Sequence, residues 1–176
     1  MPNWCSNQIK LGGPTEEIER IWDIIEDPGS DDGLCTALAP LSSEWEYNDA
    51  LSTWGTKWDI TDGYLQIDRQ GDYSEITGSF ESAWSPPKEA VLTWLEKNPD
   101  CDADLLFCEF ANDFMGNLDN EYDISTTPVT WFLSTEEGVA LDEAFDIIGM
   151  KEELLEEEYE EILNEPLTLT DPNTEE

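Results

Sequence analysis

Residues 63–84 leave the chain little choice of conformation. Gly63 to Arg69 alternates around Leu65 and Ile67, and Gly71-Asp72 supplies a two-residue turn. Ser74 to Trp84 then puts Ile76, Phe80 and Trp84 on one face, with Glu75, Thr77, Ser79 and Glu81 on the other. A period of two on both sides of a short glycine turn predicts a β-hairpin with one buried face.

The segments before and after it follow a recognisable order. Asn3 to Leu11 alternates loosely, with Cys5, Ile9 and Leu11 opposite Gln8 and Lys10, and predicts a strand. Gly12-Gly13-Pro14 is expected to turn the chain into a helix capped by Thr15, acidic in its first turn and carrying the stripe Ile18, Ile21, Trp22, Ile25. Asp27-Pro28-Gly29 ends it. Residues 28–62 read as an insertion with a short apolar stretch, Leu34 to Leu41, and a helix from Ser43 to about Ser52. After the hairpin, Ser85-Pro86-Pro87 is expected to open a helix by a serine cap, with Val91, Leu92 and Leu95 buried, and Asn98-Pro99 stops it. Ala103 to Ala111 is an apolar strand, turned at Gly116-Asn117 into another that reaches about Ser125. Strand, helix, two strands, helix, strand is the split β-α-β of a ferredoxin-like α+β sandwich: an antiparallel sheet with both helices on one face. The expected organisation is a ferredoxin-like βαββαβ domain over 1–125, an acidic helical extension over 126–165 and a flexible tail over 166–176.

One six-residue stretch does not reduce to this pattern. Trp54-Gly55-Thr56-Lys57-Trp58-Asp59 holds two indoles and one of only seven cations. Gly55 marks a helix end or a tight turn, and Lys57 is placed either to lie over an indole or to pair with a carboxylate. On residue type alone this is a core corner, with the tryptophans as packing and Lys57 as a satisfied surface charge. Trp4, Trp54, Lys57, Trp58 and Trp84 form the expected structural motif. Together, Met1-Pro2-Asn3-Trp4-Cys5-Ser6-Asn7, Trp54 to Asp59, and Phe80 through Ala83-Trp84-Ser85-Pro86-Pro87 resemble the signature of the YubB-type ferredoxin-like proteins of bacteriophages and conjugative plasmids. The likeness covers roughly residues 1–125. It implies the ferredoxin-like fold and a mobile-element origin, and brings no catalytic residue with it. The acidic C-terminal part and the very high charge depart from the family pattern.

That charge is the strongest statement about function. There are 43 acids against seven bases and no histidine, a formal charge of −36. Such a surface repels nucleic acid and anionic membrane and steers basic partners toward it. Without histidine, Ser/His/Asp and Cys/His mechanisms are excluded. Leu11-Gly12-Gly13-Pro14 lacks the lysine and spacing of a phosphate loop. Asp100-Cys101-Asp102-Ala103-Asp104 begins like a calcium loop but has Leu105 at the glycine position and Ala111 at that of the bidentate glutamate. No catalytic residue, metal site or cofactor is expected. Cys5, Cys35, Cys101 and Cys108 form no C-x-x-C pair and read as buried thiols in a reducing compartment. The N-terminus lacks the pattern of a signal peptide, and no apolar run approaches the roughly 20 residues of a membrane helix. The expected location is the host-cell cytoplasm.

The acids are densest at the end of the chain. Residues 1–125 hold 27 acids and six bases, net −21, whereas residues 126–176 hold 16 acids and one base, net −15. A short helix is expected over Leu141 to Ile148 and a longer one from Met150 or Lys151 to about Glu165, seamed by Leu154, Leu155, Tyr159, Ile162 and Leu163. The second would run roughly 21 Å at about 1.5 Å per residue. Its seven glutamates from Glu152 to Glu161 then give about one charge per 3 Å, against about one per 1.7 Å of duplex DNA. Glu152, Glu153, Glu156, Glu157, Glu160 and Glu161, with Asp142, Glu143 and Asp146, are the candidate partner-binding residues. Three readings fit. The acids imitate nucleic acid and block a basic nucleic-acid-binding host protein; they dock an adaptor on a basic phage or host protein; or they serve salt tolerance and solubility. A homodimer through the open sheet face or the helix seam is also compatible.

Overall fold

The computed structural model describes residues 3–109, 111–112, 114–118 and 124–127. Its centre is a strand, β1 (Trp4–Pro14), hydrogen-bonded on both sides. On one side lies β3 (Tyr73–Ala83), itself paired with β2 (Tyr64–Gln70); on the other lies β4 (Asp102–Glu109), followed by β5 (Phe114–Leu118) and β6 (Ile124–Thr127). The six-stranded order is β2-β3-β1-β4-β5-β6, and every pairing is antiparallel. Among the described residues four helices accompany the sheet in a mixed α+β fold: α1 (Thr15–Ile25), α2 (Leu34–Leu38), α3 (Tyr47–Trp54) and α4 (Lys88–Lys97).

The alternation of the strands decides where the core sits. Cys5, Ile9 and Leu11 of β1, Ile76 and Phe80 of β3, and Ala103, Leu105 and Phe107 of β4 are buried on one face. The inward residues of these helices join them in one cluster: Ile18 and Ile21; Leu34, Cys35, Ala37 and Leu38; Ala50 and Trp54; and Ala90, Val91, Trp94 and Leu95. Trp94 is the largest fully buried side chain, and its indole N–H donates to Glu17 Oε1 at 2.8 Å, which satisfies the one polar atom it brings inside. Residues 28–62 therefore belong to the core, because Leu34, Cys35 and Ala50 are wholly buried.

Several local expectations give way to tertiary contacts. Gly12-Gly13-Pro14 continues β1 opposite Glu75, Ser74 and Tyr73. The glycines serve close approach here: a Cβ on Gly12 would lie 2.1 Å from the Tyr73 hydroxyl, and one on Gly13 2.5 Å from Cys101 Sγ. Thr15 is the first helical residue, not the cap; its hydroxyl donates to Gly71 O at 2.7 Å and its N–H to Asp72 O at 2.9 Å, clamping the hairpin tip. Ser85 does not cap α4 either, since Pro87 stands at that position. The helix expected over 43–52 begins only at Tyr47. Gly116 and Asn117 lie inside β5, flanked by β4 and β6, and the boundary drawn at residue 125 falls within β6. Trp84 leaves the sheet after Ala83 and is exposed. The expected C-terminal helices lie outside the described residues.

Candidate interaction surface

The Trp54–Asp59 stretch begins as the end of α3. Gly55 takes φ 84°, the left-handed conformation that closes a helix, and its N–H donates to Leu51 O at 3.0 Å. Trp54 points into the core and donates its indole N–H to Ala39 O at 2.7 Å. Trp58, beyond the turn, is not on that face.

Asp59 anchors the stretch to α2. Its carboxylate accepts from the amides of Gly33 at 2.9 Å, Cys35 at 2.8 Å and Ile60 at 2.8 Å, and also from the Thr36 amide and hydroxyl. The Leu34 amide donates to Ile60 O at 2.9 Å. One carboxylate and one carbonyl thus satisfy the first amides of α2, which no side chain in the helix reaches.

The three tryptophan-bearing stretches meet at one end of the sheet. Trp4 pairs with Ala83 across β1 and β3, and the Trp84 amide donates to Asn3 O at 2.9 Å. The buried hydroxyl of Thr56 donates to Ala83 O at 3.0 Å. A chain of side-chain bonds runs through all three: Asn7 Nδ2 donates to Ser82 Oγ at 2.9 Å, Ser82 Oγ to Ser85 O at 2.8 Å, and Ser85 Oγ to Gly55 O. Asn7 Nδ2 also donates to Cys5 O at 2.7 Å, while its Oδ1 is the one buried side-chain polar atom without a partner among the described residues.

This scaffold carries indoles outward. Trp4, Trp45, Trp58 and Trp84 are between 39 and 49% exposed. Trp4 and Trp58 have ring centroids 6.1 Å apart, tilted by 48°. Lys57 Nζ lies over the Trp58 ring at 4.4 Å from its centroid, and Trp45 Nε1 donates to Lys57 O at 3.0 Å. Trp84 is held at φ 73°, which a bulky L-residue adopts only when its surroundings force it. The structure therefore brings Trp4, Lys57 and Trp58 together at the surface, flanks them with Trp84 and sends Trp54 inward. Trp45 and the Asn7–Ser82 relay were not legible in the sequence; an isolated tryptophan in a polar stretch carries no periodic signal. Glu152, Glu153, Glu156, Glu157, Glu160, Glu161, Asp142, Glu143 and Asp146 lie outside the described residues.

The remaining chemistry is quiet. Burial pushes Cys5 up to about 12 and Cys101 up to about 11, and raises Cys35 well above the ordinary thiol value, so these thiols are protonated at neutral pH. All four cysteines are unbridged, and all but Cys101 are buried. Among the described residues no group of three or more Cys, Asp and Glu is placed to hold a metal ion, and no helix is long and apolar enough to cross a membrane. Asp102 lies in β4 and accepts from the Tyr73 hydroxyl at 2.8 Å. Three of the six cations in residues 3–109 are committed to ion pairs. Lys10 meets Glu75 at 2.9 Å and is raised by that bond, Arg20 meets Glu17 at 2.7 Å and holds its carboxyl down, and Arg69 does the same to Glu19. Comparison of the chain with protein-family models, with curated proteins and with solved structures finds no match.

Proposed function

We propose that this chain is a non-enzymatic binding protein of a phage or plasmid, acting in the host cytoplasm. Its carboxylates occupy the nucleic-acid site of a basic host protein and block it. The observation that carries the reading is the charge of −36, together with the way the described residues use their cations. Three are neutralised in ion pairs and Lys57 lies on Trp58, while Glu26, Asp31 and Asp32 remain exposed outside those pairs. Like charges at this density destabilise a compact state, so a bound basic partner offsets a standing cost. The acids of the C-terminal part, Glu152 to Glu161 with Asp142, Glu143 and Asp146, are the main contact in this proposal.

We also infer that β1 to β4 with α1 and α4 form a ferredoxin-like unit of the YubB type, which β5 and β6 extend. The order β2-β3-β1-β4, with α1 following β1 and α4 joining β3 to β4, supports it, as does the convergence of the three stretches that carry the resemblance. A second reading is an acidic adaptor that docks on a basic protein without imitating DNA. The half-exposed tryptophans favour it, since indoles anchor protein interfaces and charge for solubility alone does not call for them.

The test is capture of partners from host lysate on tagged protein, washed across a salt gradient and challenged with duplex DNA. Release of a nucleic-acid enzyme by DNA supports the mimic; a partner indifferent to DNA supports the adaptor. Capture of nothing at low salt, by a chain that folds only in molar salt, refutes both. Replacing Glu152, Glu153, Glu156, Glu157, Glu160 and Glu161 together by Gln asks whether that segment is the site, and unchanged capture removes it.

A further inference from the structure

The half-exposed tryptophans sit where a soluble chain gains nothing by showing them, and the backbone is bent at Trp84 to keep one of them there. Their surroundings are acidic. Glu44 and Glu46 bracket Trp45 and are exposed, and the exposed Glu81 pairs with Ser6, two residues from Trp4. An indole face is the strongest aromatic acceptor for a cation, and Trp58 already holds one: Lys57 Nζ at 4.4 Å. Trp4 leans on Trp58 at 6.1 Å and 48°, so the two rings make an open corner and not a closed stack. A planar guanidinium is less strongly hydrated than an ammonium and stacks on such rings, whereas Lys57 is a flexible, well-hydrated charge that exchanges with solvent at little cost.

We propose that this corner seats a basic segment of the protein partner, with an arginine side chain of that partner laid on the indoles of Trp4 and Trp58 in exchange for Lys57. The charge of the chain selects basic partners at a distance, and the aromatic corner selects arginine over lysine on contact. The proposal rests on the reading of the chain as a binder of basic proteins and adds to it a specific seat built by residues of β1 and of the turn after α3.

The experiment titrates the 176-residue chain with nona-arginine and nona-lysine peptides at physiological salt, following tryptophan emission and heat of binding. The arginine peptide is expected to bind tighter by roughly two- to thirty-fold, the worth of one or two cation–π contacts. Trp4→Leu and Trp58→Leu each bring it toward the lysine value. Tyr64→Leu, which removes the exposed aromatic of β2, leaves the preference intact. Lys57→Ala strengthens the arginine peptide more than the lysine peptide, and this comparison decides the matter even where a tryptophan variant folds poorly. Equal affinities for the two peptides, unmoved by these variants, overturn the corner while leaving attraction by charge in place. Failure of both peptides to bind overturns the corner and the functional reading together. Quenching of the same tryptophans by a duplex oligonucleotide also overturns it, because a seat for arginine on so acidic a surface does not accept phosphates.

Discussion

Replacing Asp59 by alanine is expected to release the first turn of α2, whose amides its carboxylate accepts from. Its side chain accepts from the Gly33 and Cys35 amides at 2.9 and 2.8 Å, and both donors belong to buried residues. Hydrogen bonds to a charged acceptor contribute about 1.5–3 kcal/mol each, and the donors left behind have no alternative partner, so losing both costs about 3–5 kcal/mol once some water reaches the site. For a chain of this size that corresponds to a fall in midpoint of roughly 6–20 °C, taking about 2–4 °C per kcal/mol. Asp59→Asn keeps one acceptor but turns an NH2 group against amide donors, and is expected to fall between the two. The assay is urea unfolding followed by tryptophan emission and far-ultraviolet circular dichroism. Both probes should shift together, because Trp54 and α2 share one core. A loss under about 1 kcal/mol for Asp59→Ala would refute the assignment of Asp59 as the anchor of α2.

Other perturbations test the remaining statements. Trp84→Gly relieves a left-handed residue, worth about 1–2 kcal/mol, and forfeits about 0.5–1 kcal/mol of glycine entropy, so its stability should stay within about 1 kcal/mol of the parent despite loss of an indole; a fall beyond about 3 kcal/mol would show that the indole packs. Ser82→Ala breaks the relay between Asn7 and Ser85 O and should cost about 1–2 kcal/mol by urea titration. In the native chain at pH 8, Cys101 should react with a thiol reagent first, and Cys5, Cys35 and Cys108 only at the rate of unfolding; prompt labelling of Cys35 would contradict its burial. Alkali should destabilise the fold. Burial raises Cys5 to about 12, and burial with the nearby Asp102 raises Tyr73 to about 12, so the folded chain keeps protons that the unfolded chain has lost. Their contribution is complete below about 9, the ordinary thiol value, and fades as pH climbs toward about 12, which melts recorded across that window will show.

The elements that were legible in the sequence are those whose own periodicity decides them. The hairpin follows from period-two runs around Gly71-Asp72, and the register confirms a two-residue loop with Gln70 opposite Tyr73. Helix α1 follows from its apolar stripe, and Gly55 from its place beside a helical run. Local chemistry misleads where a residue answers to partners far away in the chain. Gly12 and Gly13 suggest a turn, but Tyr73 and Cys101 across the sheet require them to be small. Gly116-Asn117 suggests a hairpin tip, but pairing on both edges holds it extended. Alternation carried one residue past the end of β3 points Trp84 inward, but its positive φ breaks the strand and the indole is exposed. The surface itself was half legible: its residues stand out by type, whereas their exposure depends on a relay between Asn7, Ser82, Ser85 and Gly55 that no spacing reveals.

That relay also has a consequence in time. Asn7 and Ser82 are 75 positions apart, and Trp4 and Ala83 pair over a similar span, so the corner of indoles closes a loop that encloses α1, α2, α3 and β2. Contacts of such long sequence separation form late, after local helices and the hairpin. During synthesis Trp4 emerges first and waits for residues 80–85 before it has a surface to belong to. The corner is thus a mark of completed folding. A partner that grips it meets only chains whose first strand has docked, and loss of the first few residues would erase the corner while leaving the hairpin able to form.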